Sequence, residues 1–152
     1  MLALTTALHA LAAMVWVGGM FFAHMALRPA VGAMPPPERV ALWGRVFPRF
    51  FAWVWASIAV LLATGYWIVF GAWGGMAGAG MHVHVMQGLG ILMMLLFVHL
   101  WFAPYGRFRR ALAAGDISTA GGQIGQIRLI VTINLVLGIT TMLVGASGRY
   151  WS

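Results

Sequence analysis

Residues 2–27 read LALTTALHALAAMVWVGGMFFAHMAL, a run without a single Lys, Arg, Asp or Glu. A helix rises 1.5 Å per residue, so about 20 such residues cross a hydrocarbon core about 30 Å thick. A secretion signal would place basic residues ahead of a shorter apolar core, whereas the first basic residue here is Arg28; a retained span is expected. Three more stretches pass the same test, at about 50–73, 82–102 and 127–146. With 62% of residues hydrophobic and 7% charged, the whole chain reads as one all-α domain over residues 1–152. The expected fold is a transmembrane four-helix bundle running up-down-up-down.

The net charge of +7 belongs to topology. All nine basic residues are Arg: Arg28, Arg39, Arg45 and Arg49 lie in or beside the first connection, and Arg107, Arg109, Arg110 and Arg128 in or beside the third. The second connection, GAWGGMAGAGM, has none, and Arg149 is alone near the C-terminus. The first and third connections share a side, so the positive-inside rule puts them in the cytoplasm and both termini in the periplasm. Contact with anionic membrane lipid is a secondary use of this charge, and nucleic acid is not an expected partner. With no cysteine, disulfides, iron–sulfur clusters, thiolate metal sites and covalent haem attachment are excluded.

The connections differ in kind. In RPAVGAMPPPERVALWGRVFPR the prolines end the first helix, and Val40, Leu42, Trp43 and Val46 then suggest a short helix in the interface. YGRFRRALAAGDISTAGGQIGQ begins as a basic extension of the third helix, stops at Gly115 and restarts after residues 116–118. The Gly-rich second connection is too short to form a lid.

His9, His24, His82, His84 and His99 all fall on the first and third helices. These helices run in the same direction, and His9 to His24 and His84 to His99 are equal steps along them. Each step is ~22 Å of rise and a turn of about 60°, so each pair spans the membrane on one broad helix face. That is the pattern of two haem b groups stacked across a bundle, each iron held by two imidazoles: His9 with His84 on one side, His24 with His99 on the other. Intramembrane ionisable residues are functional by default, although any one of these could be an interhelical hydrogen-bond partner or a head-group residue. Arg28, Arg107 and Arg109 are placed to meet propionates of the inner haem, or to snorkel to lipid phosphate; Arg149 and Tyr150 lie nearest the outer one.

Residues 80–88, GMHVHVMQG, keep copper open. Imidazole and thioether suit Cu(I), and Met81, His82, His84 and Met86 cluster at one mouth of the bundle. Residues two apart on a helix point about 200° from one another, so His82 and His84 chelate one ion only if the segment is extended. Met14, Met20, Met25, Met93, Met94 and Met142 extend a thioether path inward or serve as apolar filler. Asn134 and Gln87 read as interhelical amides. The only carboxylates, Glu38 and Asp116, are in loops, which argues against paired-carboxylate catalysis.

The blocks LHALAAMVWVGGMFFAHMALRPA, RFFAWVWASIAVLLATGYW, HLWFAPYGRFRRALAAGD and IRLIVTINLVLGITTMLVGASGRY resemble the copper resistance D family of membrane proteins. That four-helix module is distantly similar to the HemJ-type protoporphyrinogen oxidases. The resemblance implies residence in the bacterial inner membrane and copper uptake or tolerance, and its relatives imply haem b with porphyrin or quinone chemistry. His9 matches the histidine of the family's first-helix motif. The preferred expectation is a di-haem b-type cytochrome carrying electrons across the membrane to or from a quinone or a periplasmic redox partner, as relay or oxidoreductase, with a homodimer open. The alternative is a copper-handling protein without haem.

Overall fold

The computed structural model of the chain describes residues 1–151, and every side chain among them but that of Arg149. The regular elements among them are helical. Helix α1, Leu2–Phe22, runs on through a wide π-type turn, Ala23–Leu27, into a last turn at Arg28–Ala30. Helix α2 is Pro36–Ala72, α3 is Met81–Phe102, α4 is Pro104–Ala113 and α5 is Ile117–Ser147. Four segments are long and apolar enough to cross a membrane: Leu2–Ala30, Pro36–Ala72, Met81–Ala113 and Ile117–Ser147.

The first connection is shorter than the prolines suggest. The amphipathic stretch expected as a separate interfacial helix is instead the first part of α2. Pro35 caps the helix with extended backbone and Pro36 takes its first position, where a missing N–H costs nothing. From there Val40, Trp43, Phe47, Phe51, Val54 and Ile58 are all buried, at the three- and four-residue spacing of a single helix face. Pro48 interrupts the ladder inside this helix, at a cost of roughly 3 kcal/mol. Burial of Phe47 and Phe51 on either side, worth about 1.5–3 kcal/mol each, offsets it. The Arg49 guanidinium donates to the Arg45 carbonyl at 2.8 Å, serving an acceptor in the turn that the proline loosens.

The third connection follows its expected course. Gly115 takes a left-handed φ of 71°, and Asp116 caps α5 by accepting from the Thr119 N–H at 2.9 Å. Helix α4 buries Tyr105, Phe108 and Ala111 and packs on α5, where Arg107 donates to Gln123 at 3.0 Å and Gln126 at 2.9 Å.

Helix α1 packs along α2 and α3 along α5, while α5 also touches α1 and α2. Helices α1 and α3 stand across the bundle from one another, bridged by Trp16 and Phe97 with ring centroids 6.3 Å apart. The arginine-bearing half is filled by aromatic side chains. Phe47 stacks on Phe51 at 5.3 Å, and Phe51 meets Tyr105 edge-on at 4.9 Å and Phe97 at 5.6 Å. The half carrying the termini is less filled, and a cavity lies there.

Candidate functional site: two histidine-bearing cavities

The cavity at the terminal end measures about 670 Å³ and is walled by α1, α2, α3 and α5. His9 and His82 line it together with the thioethers of Met14, Met86, Met93, Met94 and Met142. The His9 ring lies against Gly65 of α2, where an added Cβ would come within 3.1 Å of its Cε1. Its Nδ1 is 2.8 Å from Thr64 Oγ1, and that hydroxyl gives its one proton to the Val60 carbonyl at 2.6 Å. The short bond to the Val60 carbonyl favours the ring as donor in the His9 contact, the tautomer with the proton on Nδ1 and the lone pair on Nε2 that suits a metal-binding imidazole.

His82 reaches the same cavity from the first turn of α3. Trp73 and Trp151 approach its ring edge-on at 6.5 Å and 6.4 Å. It rests on the backbone of Gly148, where any Cβ would overlap the ring. Met86, one turn on, lies on Gly145 of α5, with its sulfur 3.1 Å from where a Cβ would stand.

A second cavity, of about 490 Å³, lies at the arginine-bearing end. His24, Arg28, Arg39 and Arg128 line it, backed by Trp43, Phe47, Phe50 and Phe51. His24 repeats the His9 arrangement. Its Nδ1 is 3.2 Å from Thr132 Oγ1, and the bond of that hydroxyl to the Arg128 carbonyl at 2.8 Å favours the same tautomer, with the lone pair on Nε2.

His84 and His99 are both exposed and line neither cavity, so the pairings of His9 with His84 and of His24 with His99 are not assembled within this bundle. The reason is the rotation of α3. Counted from His82 at 100° per residue, Met86, Met93, Phe97 and Leu100 all fall within about 60°, and this is the stripe that packs inward. His84 points about 200° from that origin and His99 about 260°. Met81 is 70% exposed and also stands apart, while Met86 faces in. Of the arginines placed for propionates, Arg28 lines the second cavity. Arg107 is engaged by the two glutamines, and Arg109 lies 5.7 Å over the Tyr105 ring. The Arg149 side chain lies outside those described, and Tyr150 is exposed.

Several residues escaped the sequence reading. Thr64 and Thr132 are lone hydroxyls in apolar runs, and only the helix pairing reveals that they face His9 and His24. Arg39 and Arg128 counted there as topology signals. Among the described residues no three His, Cys, Asp or Glu side chains gather closely enough to hold a metal ion, so donors beyond a histidine pair would be thioethers, backbone or ligand.

Fold and cavities together define a multi-pass helical membrane protein with histidines turned into its interior. The chain belongs to the family described as copper resistance protein D, whose family model matches residues 44–147. The match takes in most of α2 and all of α3, α4 and α5; it includes His82 and leaves out His9 and His24. No curated protein and no solved structure matches the chain.

Proposed function

We propose that this protein handles copper in the bacterial inner membrane, taking Cu(I) as cargo in the cavity at its terminal end. The observation that carries the reading is the presence in one cavity of His9, held through Nδ1 by Thr64, together with His82 and several thioethers. Neutral imidazole and thioether are the soft, uncharged donors that favour Cu(I) over hard divalent ions. Family membership supports copper independently. Under the positive-inside rule the cavity opens toward the periplasm. His9 and His82 supply nitrogen donors from opposite walls, and Met86, one turn along α3 from His82, adds a thioether to the same lining. The flexible methionines deeper in the cavity offer exchangeable donors along which a weakly held ion moves inward.

The test is Cu(I) titration of the purified protein against a competing chelator. His9→Ala and His82→Ala should each weaken binding by at least about tenfold, while His84→Ala and Met81→Ala leave it unchanged. Retention of full affinity in both His9→Ala and His82→Ala would overturn the assignment.

A second reading is favoured by one specific observation, the repeated histidine–threonine pair in two cavities of macrocycle size. In it His9 and His24 each hold a haem b and electrons cross the membrane between a quinone and a periplasmic partner. A homodimer is the arrangement that would let the outward-facing His84 and His99 serve as ligands. A reduced-minus-oxidised optical spectrum of protein from haem-replete cells decides it: paired α and β bands support haem, and a colourless preparation removes it.

A further inference from the structure

We propose that the cavity at the arginine-bearing end is a binding site for an amphiphile with an oxyanion head, its apolar body lying against the aromatic wall. Three arginines line this cavity from three different elements: Arg28 from the end of α1, Arg39 from α2 and Arg128 from α5, with Arg28 and Arg128 exposed and Arg39 half-buried. None of the cavity's lining residues is a carboxylate, and the chain's two acids, Glu38 and Asp116, lie elsewhere. Arg49, Arg107 and Arg109 in this half are engaged by a carbonyl, two glutamines and a tyrosine ring. Arg28, Arg39, Arg45, Arg110 and Arg128 have no such partner among the described residues, and of these Arg28, Arg39 and Arg128 line the cavity.

Three arginines lining one cavity, with no carboxylate among its lining, give it a surplus of positive charge that an anion offsets. Guanidinium forks match phosphate and carboxylate oxygens in particular. Behind the charges, Trp43, Phe47, Phe50 and Phe51 form an apolar wall suited to a hydrocarbon or macrocyclic body. His24 lies in the same lining, held through Nδ1 by Thr132. It separates two sources of this chemistry. A phosphate-headed lipid needs only the arginines, whereas a porphyrin dicarboxylate would also bind its metal to His24.

Native mass spectrometry of the full chain in detergent, titrated with phosphatidylglycerol, phosphatidylcholine or haem, tests the proposal. The expected result is a preference for phosphatidylglycerol over phosphatidylcholine, or retention of haem, that falls on the order of tenfold in Arg39→Gln/Arg128→Gln. Arg107→Gln/Arg109→Gln removes the same charge outside the cavity and should leave the preference intact. If lipid is the ligand, His24→Ala keeps the preference; if porphyrin is, His24→Ala loses it. Equal binding of the two lipids with no haem retained overturns the proposal, as does a preference that survives Arg39→Gln/Arg128→Gln. Copper binding at the other end is read in the same variants and should not change, so failure of one site is distinguishable from failure of the other.

Discussion

His9 shows how one threonine can orient a membrane histidine. Thr64 holds the ring through Nδ1 at 2.8 Å, and its own bond to the Val60 carbonyl favours the tautomer that leaves Nε2 as the metal-binding nitrogen. Thr64→Val removes the acceptor while keeping the shape. Cu(I) affinity is expected to fall 10- to 100-fold, the usual range for loss of an orienting partner, and Thr64→Ser should restore it. Gly148 makes a second residue-scale prediction. Its φ of −58° suits alanine, but any Cβ would overlap the His82 ring. Gly148→Ala should therefore lower Cu(I) affinity about as much as His82→Ala, with helix content unchanged by circular dichroism.

At the scale of the element, α3 decides which histidine faces the interior. Nearly every residue of Met81–Phe102 is apolar, so no polar face marks the outside, and the sequence leaves the rotation of this helix open. The 15-residue histidine spacing points to His84. The stripe of Met86, Met93, Phe97 and Leu100, packed on α5 and the aromatic core, selects His82 instead. The spans and the turn at Gly115 were legible because length, hydropathy and cap chemistry are local. Rotation was not, because it depends on what each helix meets. The start of α2 was misjudged for a related reason, since Pro48 ends a helix by local rule and is overridden here by the phenylalanines on either side.

Two helix contacts can be checked directly. Asn134 is buried, donating to the Met93 carbonyl at 3.2 Å while its own Oδ1 has no partner. One gain and one penalty nearly cancel, so Asn134→Leu should shift unfolding stability by less than about 1 kcal/mol in detergent denaturation. Asp116 is held below the ordinary carboxylate range by the Thr119 side chain and backbone N–H. A lowered folded value means its contribution is full above the unfolded value near ~4 and fades as pH falls through the folded one. Any stability advantage of wild type over Asp116→Asn in thermal melts should thus shrink below about pH 4.

The whole molecule divides into two ends of different chemistry. Thioethers and imidazoles gather where the termini lie; arginines and aromatic rings gather at the other end. The absence of cysteine allows the orientation to be read cleanly. Ala77→Cys, in the uncharged second connection, should be labelled by an impermeant maleimide from the periplasmic side. Ala114→Cys, beside the turn into α5, should be labelled only after the membrane is opened. The reverse pattern would place the cavity lined by His9 and His82 on the cytoplasmic face.

The central claim is that one cavity binds copper through His9 and His82 while His84 stands outside it. X-ray absorption spectroscopy of the Cu(I)-loaded protein, wild type beside His82→Ala and His84→Ala, tests this most directly. The account predicts a mixed imidazole and thioether shell that loses a nitrogen scatterer in His82→Ala and is unchanged in His84→Ala. A shell unchanged by His82→Ala, or one that loses its nitrogen in His84→Ala, would contradict it.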